Sequence, residues 1–166
     1  MSENNNNIIR TADICDDNAD TVQVCEIAFK DYAKRSCFHG EAVTIETLED
    51  NIVVSRVLER GGKGKVLVID GHGSRRRALC GGNVAALALK EGWAGVVING
   101  CVRDQHEMWD LDFGVKAIGT TPRRPYRDDT GKDSLNLHFG GVIIKPGDYI
   151  YADDDGVIVT PGPVHG

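Results

Sequence analysis

The chain contains 166 residues, with 19 basic and 25 acidic side chains and a formal net charge of −6 at pH 7. Hydrophobic residues make up 41% and charged residues 27% of the chain, a composition that excludes fibrous, collagenous and disordered classes. The length predicts one globular domain with a substantial core. The negative charge argues against direct binding of nucleic acid or of an anionic membrane surface.

The sequence has no apolar run of the roughly 18 residues that a membrane helix needs, and its amino end lacks the pattern of a signal peptide. The cysteines are odd in number and lack CxxC spacing, which favours reduced thiols over disulfides or a zinc site. They are Cys15, Cys25, Cys37, Cys80 and Cys101. We therefore expect a cytoplasmic protein.

The predicted elements begin after a polar amino-terminal segment that contains four consecutive asparagines. Residues 1–9 are expected to form a flexible tail, and residues 10–166 are expected to form the domain. The spacing of apolar residues predicts a first helix from Thr11 to about Lys34, which the acidic residues at 16–20 could interrupt.

The middle of the chain alternates predicted strands with predicted helices. In order, these are a strand over 42–47, a helix over 51–60, a strand over 65–70, an extended segment over 75–80, a helix over 83–91 and a strand over 95–99. Asn83 is expected to cap the second of these helices, and Gly92 to end it in the left-handed conformation. A strand, a glycine-rich turn, a helix and another strand favour a partly parallel sheet with a ligand site beyond its carboxyl ends. Residues 81–84 and 100–104 should therefore lie close together.

The last third of the chain predicts a surface loop followed by short strands. The polar stretch after Thr120 contains three arginines, at positions 123, 124 and 127, which fit a solvated face better than a binding patch. The segment Gly141–Thr160 predicts two or three strands, with turns at 146–148 and 154–156.

Gly81 and Gly82 stand at the entrance of a predicted helix, ahead of Asn83 and Val84. Glycines allow a ligand to approach the backbone closely, and the helix dipole adds partial positive charge to the amides there. A carboxylate or a phosphate could bind these amides. The same residues also fit a tight turn with an asparagine cap and no ligand.

Arg103 and Asp104 follow the predicted strand over 95–99, where the sequence turns polar. Both side chains could meet one ligand only if the strand breaks at this point. Asp104 could form a capping box with Glu107 for a short helix, or it could bind a hard cation. The guanidinium of Arg103 suits a planar anion such as a 2-oxo acid.

Two other segments carry weaker signals. The segment VLVIDGHGS (66–74) only superficially resembles a nucleotide or S-adenosylmethionine site, because it has two glycines and no crossover helix of the right length follows it directly. The acidic run at 153–155 is more typical of a solvated turn than of a cation site.

Three segments together resemble the RraA-like family, which includes the regulator of ribonuclease activity A and the 4-hydroxy-4-methyl-2-oxoglutarate aldolases. They are TADICDD near the start, KVLVIDGHGSRRRALCGGNVAALALKEGWAGVVINGCVRD in the middle and FGGVIIKPGDYIYADDDGVIV near the end. The resemblance implies a single-domain α/β fold, an αββα sandwich of the swivelling β/β/α type. It also implies a homotrimer, or a hexamer formed by two trimers, with sites at subunit interfaces.

The resemblance assigns roles to the residues singled out above. The turn formed by Gly81, Gly82, Asn83 and Val84 would hold the carboxylate of a small 2-oxo acid substrate, Arg103 would also bind substrate, and Asp104 would position Mg²⁺ or Mn²⁺. The implied activity is a metal-dependent lyase that cleaves 4-hydroxy-4-methyl-2-oxoglutarate into two pyruvates and decarboxylates oxaloacetate. No Schiff-base lysine is needed, and water is the simplest general base.

The sequence departs from the aldolase signature of this family, in which an aspartate precedes the arginine by 21 positions. Gly82 stands where that aspartate belongs, and Ala78 stands where the first glycine of the signature belongs. The departure leaves open an alternative from another functional class. In that alternative the chain is a non-catalytic regulator that binds a ribonuclease and inhibits RNA cleavage.

Overall fold

The computed structural model describes residues 8–165, so most of the expected tail, residues 1–7, lies outside the described part. The helices of that part are α1 (Thr11–Asp17), α2 (Ile52–Leu58) and α3 (Gly82–Lys90), with a 3₁₀ turn at Gln105–Glu107. The strands are β1 (Gln23–Val24), β2 (Lys30–Asp31), β3 (Phe38–Glu46), β4 (Lys65–Asp70), β5 (Ala78–Cys80), β6 (Gly95–Val102), β7 (Gly114–Thr120), β8 (Lys132–Asp133), β9 (Leu137–Phe139), β10 (Val142–Ile144), β11 (Tyr149–Asp153) and β12 (Gly156–Thr160).

Ten of these strands form one mixed sheet. Its order is β1-β12-β11-β3-β4-β6-β7-β2, while β5 pairs with β6 and β8 pairs with β3. The central strands β3, β4, β6 and β7 are parallel neighbours, and the outer strands of the order pair antiparallel. Strands β9 and β10 form a separate hairpin. The mixed sheet and its helices confirm the predicted α/β class.

The two faces of the sheet pack against different layers. On β4, Leu67 and Ile69 belong to the core shared with α2 and α3, whereas Val66 and Val68 belong to the core under the β9–β10 hairpin. All four side chains are fully buried. Because successive residues of a strand point to opposite faces, β4 is covered on both sides, as its uninterrupted apolar sequence requires.

The first helix is much shorter than the sequence predicts. Helix α1 ends at Asp17, and the N–H of Asn18 donates to the carbonyl of Ile14 at 2.9 Å. Further on, Gln23 and Val24 pair with β12 at one edge of the sheet. The prediction of a helix to Lys34 is therefore wrong. The backbone N–H and C=O groups of Gln23 and Val24 find their hydrogen-bond partners in the sheet. Acidic side chains at the end of α1 also disfavour its continuation, because they interact unfavourably with the negative end of the helix dipole.

The central β-α-β unit is confirmed, with β6 extending three residues beyond its predicted end. Helix α3 begins at Gly82, and Gly81 occupies the cap position. The prediction that Asn83 caps this helix is therefore wrong, because the first turn closes two residues earlier, with the Ala85 N–H donating to the Gly81 carbonyl at 3.0 Å. Gly92 ends the helix with a φ of 85°, as predicted.

The arginine-containing loop after β7 packs along β5. The N–H of Ala78 donates to the carbonyl of Arg123 at 2.8 Å, and Arg77 donates from Nη1 to the carbonyl of Arg124 at 2.9 Å. The Arg77 guanidinium also lies 3.7 Å from the centroid of the Tyr126 ring. These contacts bring the loop to the carboxyl edge of the parallel strands. Within residues 8–165, no helix is long and apolar enough to span a membrane.

The acidic turn between β11 and β12 is only partly solvated. Asp154 and Asp155 are exposed, whereas Asp153 is buried. Its two carboxylate oxygens accept hydrogen bonds of 2.8 Å from the N–H and the hydroxyl of Thr11, the first residue of α1. The interpretation of all three acids as a solvated turn is therefore wrong for Asp153, which fastens the amino end of α1 to the sheet.

Candidate active site at the amino end of helix α3

The amino end of α3 presents free backbone amides at the carboxyl edge of the sheet. Gly81 holds the cap position in an extended conformation, with φ −126° and ψ −166°. In the described structure no side chain caps this nine-residue helix. The first-turn amides therefore combine unmet hydrogen-bond donors with the positive end of the helix dipole, which suits a carboxylate or a phosphate.

Arg103 and Asp104 converge on this turn, as their place in the sequence predicts. Strand β6 ends at Val102, and the N–H of Arg103 donates to the Cys80 carbonyl at 3.0 Å. Asp104 then takes a left-handed conformation, with φ 58° and ψ 41°, which breaks the strand. A Cβ atom built on Gly81 would lie 3.2 Å from Oδ2 of Asp104 and 3.4 Å from Cγ of Arg103.

The carboxylate of Asp104 is not used as a helix cap. The 3₁₀ turn begins after Asp104, but its side chain makes no capping hydrogen bond, and only its carbonyl accepts from the Glu107 N–H, at 2.8 Å. The capping-box interpretation is therefore wrong. Oδ2 of Asp104 lies 3.8 Å from Nε of Arg103, and 43% of the Asp104 side chain is exposed. The carboxylate remains available for a cation.

Glu107 lies beside Gly82, an arrangement that the sequence did not reveal. A Cβ atom built on Gly82 would collide with the carboxylate of Glu107 and would lie 2.8 Å from its Cβ. The D-x-x-E spacing drew attention to Glu107 only as a capping partner. The structure instead places its carboxylate where a side chain at position 82 would project.

Arg103 and Asp104 border two adjoining cavities. A cavity of ≈ 60 Å³ is lined by the turn at 81–84, by Arg103 and Asp104, and by Arg127 from the loop after β7. A larger cavity of ≈ 310 Å³ lies against Arg103 and Asp104 and extends to Thr120. The guanidinium of Arg103 and the carboxylate of Asp104 therefore lie between the amides of α3 and the larger cavity. Arg127 was not among the predicted site residues, since its approach depends on how the loop folds back.

Cys80 also lines the smaller cavity but does not add a nucleophile to it. Complete burial raises the pKa of its thiol to about 12, so the sulfur stays protonated near neutral pH. Its Sγ lies 3.6 Å from the carbonyl oxygen of Gly81, to which it can donate. The chemistry of the site therefore rests on amides, guanidinium groups and carboxylates.

Known proteins resemble the chain over nearly its whole length. A protein from Paraburkholderia phytofirmans, provisionally named a 4-hydroxy-4-methyl-2-oxoglutarate aldolase, is 47% identical over 155 residues, which cover 90% of this chain and 94% of that protein. A protein from Arabidopsis thaliana with the same provisional name, numbered 3, is 44% identical, with coverage of 90% and 93%.

A solved structure described as the RNA-processing inhibitor RraA from Thermus thermophilis matches with a TM-score of 0.92 and 39% identity, over 95% of this chain and 96% of that one. This match confirms the fold that the resemblance implied. The family model described as RraA-like, Aldolase/RraA, matches residues 11–159. The chain therefore belongs to the RraA-like family.

Proposed function

We propose that the chain is a divalent-metal-dependent lyase that cleaves 4-hydroxy-4-methyl-2-oxoglutarate into two pyruvates, with oxaloacetate decarboxylation as a side activity. The observation that carries the proposal is the convergence of the α3 amides, Arg103 and Asp104 on one cavity. The provisional names of the bacterial and plant relatives support it. Five free cysteines are consistent with the cytoplasm as the place of this reaction.

The substrate carries two carboxylates, and the site offers separate positive groups for them. The carboxylate beside the ketone binds the amides at 82–84, where no protein side chain competes as a cap in the described structure. Arg127, exposed on the wall of the same cavity, suits the carboxylate at the other end of the substrate. These two contacts fix the scissile bond between them.

Asp104 and Glu107 fit a hard divalent cation. Both are exposed carboxylates beside the glycine turn, and they supply the oxygen donors that Mg²⁺ and Mn²⁺ prefer. When bound, the ion supplies Lewis-acid stabilisation of negative charge on the 2-oxo group. Glu107 in this role supplies the carboxylate that the signature places at position 82.

Cleavage moves one proton and breaks one carbon–carbon bond. The 4-hydroxyl group loses its proton, the C3–C4 bond breaks to release the first pyruvate, and its electron pair passes to the 2-oxo group of the second. The resulting enolate takes up a proton at C3 to give the second pyruvate. Arg103 stabilises the enolate oxygen. The residues that line the two cavities, all within the described part, include no lysine that could form a Schiff base.

Pyruvate release from 4-hydroxy-4-methyl-2-oxoglutarate and from oxaloacetate, coupled to lactate dehydrogenase, tests the proposal. We expect turnover with Mg²⁺ or Mn²⁺ that chelation abolishes, and a loss of kcat of about 100-fold or more in Asp104→Asn. Arg103→Lys should also be impaired, since an ammonium group cannot make the bidentate contact. Asp110→Asn, at an exposed aspartate just beyond the 3₁₀ turn, is the matched control.

A blank with metal and no protein is essential, because divalent ions alone decarboxylate oxaloacetate. The lyase proposal fails if purified protein with excess Mg²⁺ and Mn²⁺ releases no pyruvate above this blank from either substrate. It also fails if Asp104→Asn and Asp110→Asn have equal activity.

The assembly is part of the same proposal. We infer a homotrimer, or a hexamer of two trimers, with the candidate site near a subunit interface. Trp109 supports this placement, because it follows the 3₁₀ turn of the site and is 55% exposed, which is unusual for so large an apolar side chain. Light scattering coupled to size exclusion should give a multiple of three chains, and a monomer would contradict the inference.

The alternative function is regulation of a ribonuclease. The match to the RNA-processing inhibitor from Thermus thermophilis supports this alternative. A surface of net negative charge could meet a basic, RNA-binding segment of such an enzyme. Inhibition of RNA cleavage that Asp104→Asn leaves unchanged would support this function. Absence of a complex with the ribonuclease in a pull-down would contradict it.

A further inference from the structure

A second group of metal-ligating side chains lies at the carboxyl ends of two central strands. Glu46 ends β3, Asp70 ends β4, and His72 lies two residues beyond β4. One ligand atom from each of the three residues lies within 4.8 Å of the others. Zn²⁺ bonds to nitrogen and oxygen at about 2.0–2.2 Å, so small side-chain rotations would bring all three atoms into contact with a single ion.

The sheet register explains why these residues meet. Glu46 is the direct partner of Asp70 in the parallel β3–β4 pair, and Asp70 is the direct partner of Asn99 on β6. Residues in register on neighbouring strands point to the same face. The carboxyl edge of parallel strands is also where α/β proteins place their ligands.

This cluster is separate from the candidate active site. Val68, two residues before Asp70, belongs to the core on the hairpin side of the sheet, so Asp70 points to that side. Ala85 of helix α3 belongs to the core on the other side. None of the three clustered residues lines the cavities around Arg103 and Asp104.

Within residues 8–165, neither Glu46 nor Asp70 is held in an ion pair, although Lys132 on β8 is the register partner of Glu46 in the antiparallel β3–β8 pair. Like charges directly opposite each other on neighbouring strands destabilise a sheet, and a buried carboxylate without a cation adds a desolvation cost. Asp70 is only 4% exposed, so both costs apply to it. A bound cation would offset them.

One oxygen of Asp70 is held in place and the other is free. Oδ1 accepts from Nδ2 of Asn99 at 3.0 Å and from the N–H of His72 at 2.9 Å. Oδ2 accepts no hydrogen bond from any residue of the described part, and it is not fully buried. The amides of Gly71 and Gly73 both donate to the Asn99 carbonyl, at 3.0 and 3.1 Å, which fixes the loop that carries His72. The carboxylate is thus oriented while one oxygen remains open to a ligand.

We propose that Glu46, Asp70 and His72 bind a divalent transition-metal ion of the Zn²⁺ class, with water completing its coordination. An imidazole with two carboxylates suits Zn²⁺ better than Mg²⁺, which takes oxygen ligands. The ion links the ends of β3 and β4 and neutralises their paired carboxylates. It therefore stabilises the fold whether or not the chain is a lyase.

The test uses the full chain carrying Asp104→Asn and Glu107→Gln, which removes the carboxylates of the other candidate metal site. Zn²⁺ is titrated in competition with a chromophoric chelator, and thermal unfolding is followed with and without Zn²⁺. We expect one Zn²⁺ per chain and a higher Tm with Zn²⁺, since a ligand that binds only the folded state stabilises it.

His72→Gly in the same background is the critical variant. Glycine accepts the positive φ of 57° at this position, so the change removes the imidazole without straining the backbone. Affinity for Zn²⁺ should fall at least ~10-fold and the Zn²⁺-dependent rise in Tm should shrink accordingly. His138→Ala, at an exposed histidine on β9, should leave both readouts unchanged.

Two further measurements keep the test independent of folding defects. With EDTA present, His72→Gly should unfold at the Tm of its parent. Glu46→Gln should weaken Zn²⁺ binding in the same way, even if Asp70→Asn does not fold. The proposal is overturned if the background protein binds no Zn²⁺, or if His72→Gly and Glu46→Gln bind it as the parent does.

Discussion

Gly82 shows how a missing side chain can make room for a functional one. A Cβ atom at this position would collide with the carboxylate of Glu107, so only glycine lets that carboxylate reach the amino end of α3. The family signature carries an aspartate at the position of Gly82. We infer that Glu107 brings a carboxylate from the 3₁₀ turn to the place where the signature has its aspartate.

Moving the carboxylate from position 107 to position 82 tests this inference. Glu107→Gly should lose most lyase activity, because one carboxylate beside the proposed cation is gone. Gly82→Asp combined with Glu107→Gly returns a carboxylate to the site without the steric conflict, and should recover at least ~10-fold of the lost kcat. Pyruvate release at saturating Mg²⁺ measures both. If the double variant is no more active than Glu107→Gly, the equivalence of the two carboxylates is disproved.

The thiol of Cys80 gives a second prediction for a single residue. Because burial raises its pKa to about 12, almost no thiolate is present at pH 8 and the sulfur should resist alkylation. Iodoacetamide should modify Cys37, which is partly exposed, and leave Cys80 intact.

Mass spectrometry of the digested protein locates the label, and lyase activity should survive the treatment. As a control, urea-unfolded protein should be labelled at all five cysteines. Labelling of Cys80 in the native protein together with loss of activity would contradict the protonated, chemically inert state of this thiol.

The attachment of α1 to the sheet depends on Asp153. Burial raises the pKa of this carboxyl, but hydrogen bonds from Thr11 and from the amides of Asp155 and Gly156 outweigh that effect and hold the pKa below its usual value. The folded state thus favours the ionised form more than the unfolded chain does. Stability from Asp153 is therefore fully present above the unfolded pKa of about 3.9 and is lost as the pH falls through the lower, folded pKa.

Asp153→Asn should reduce the free energy of unfolding by about 1–3 kcal/mol at pH 7, because it weakens charge-assisted hydrogen bonds to Thr11. The difference in the free energy of unfolding between Asp153→Asn and the wild type should be smaller at pH 3, where the wild-type carboxyl begins to take up protons. Urea unfolding at both pH values measures it. Asp154→Asn, at the exposed neighbour, should change stability by no more than about 0.5 kcal/mol. An equal loss in both variants would show that the contact with α1 is not the cause.

Predictions from the sequence succeeded where the determining contacts are local. The strand over 65–70 was predictable from its apolar run, and the turn at 81–84 from its glycines. The first helix was overpredicted because the partner of Gln23 and Val24 is β12, more than 130 residues away, and no local pattern reveals that pairing. Elements held by distant partners are therefore the ones that propensity assigns wrongly.

The same distinction applies to the two sites. Arg103 and Asp104 could be identified because the polar change after a buried strand marks a strand end. The approach of Glu107 to Gly82 depends on how β5 pairs with β6, and the meeting of Glu46 with Asp70 depends on the parallel β3–β4 register. Neither pairing can be derived from the spacing of residues along the chain.

On the scale of the whole molecule, the net charge is negative, whereas several arginines gather near the candidate site. The chain carries −6 overall, whereas Arg103 and Arg127 line the smaller cavity of the site. Arg77 and Arg124 line a cavity that shares Arg127 with it. Interactions between exposed charges fade over a Debye length of about 8 Å at physiological ionic strength. A small dianion close to the site therefore experiences mainly the arginines.

This arrangement of charges predicts whether kcat/KM rises or falls with salt concentration. If net charge governed the encounter, salt would screen a repulsion and kcat/KM for the dianionic substrate would rise with KCl concentration. Attraction by the local arginines predicts the reverse, a fall in kcat/KM between 20 and 300 mM KCl at constant free Mg²⁺. Arg127→Gln should flatten that fall, whereas Arg56→Gln, whose guanidinium is paired with Asp129 at 2.9 Å, should leave it unchanged. A rise in kcat/KM with salt in the wild type would mean that the negative charge of the whole molecule dominates, and the loop arginines would then have no role in attracting the substrate.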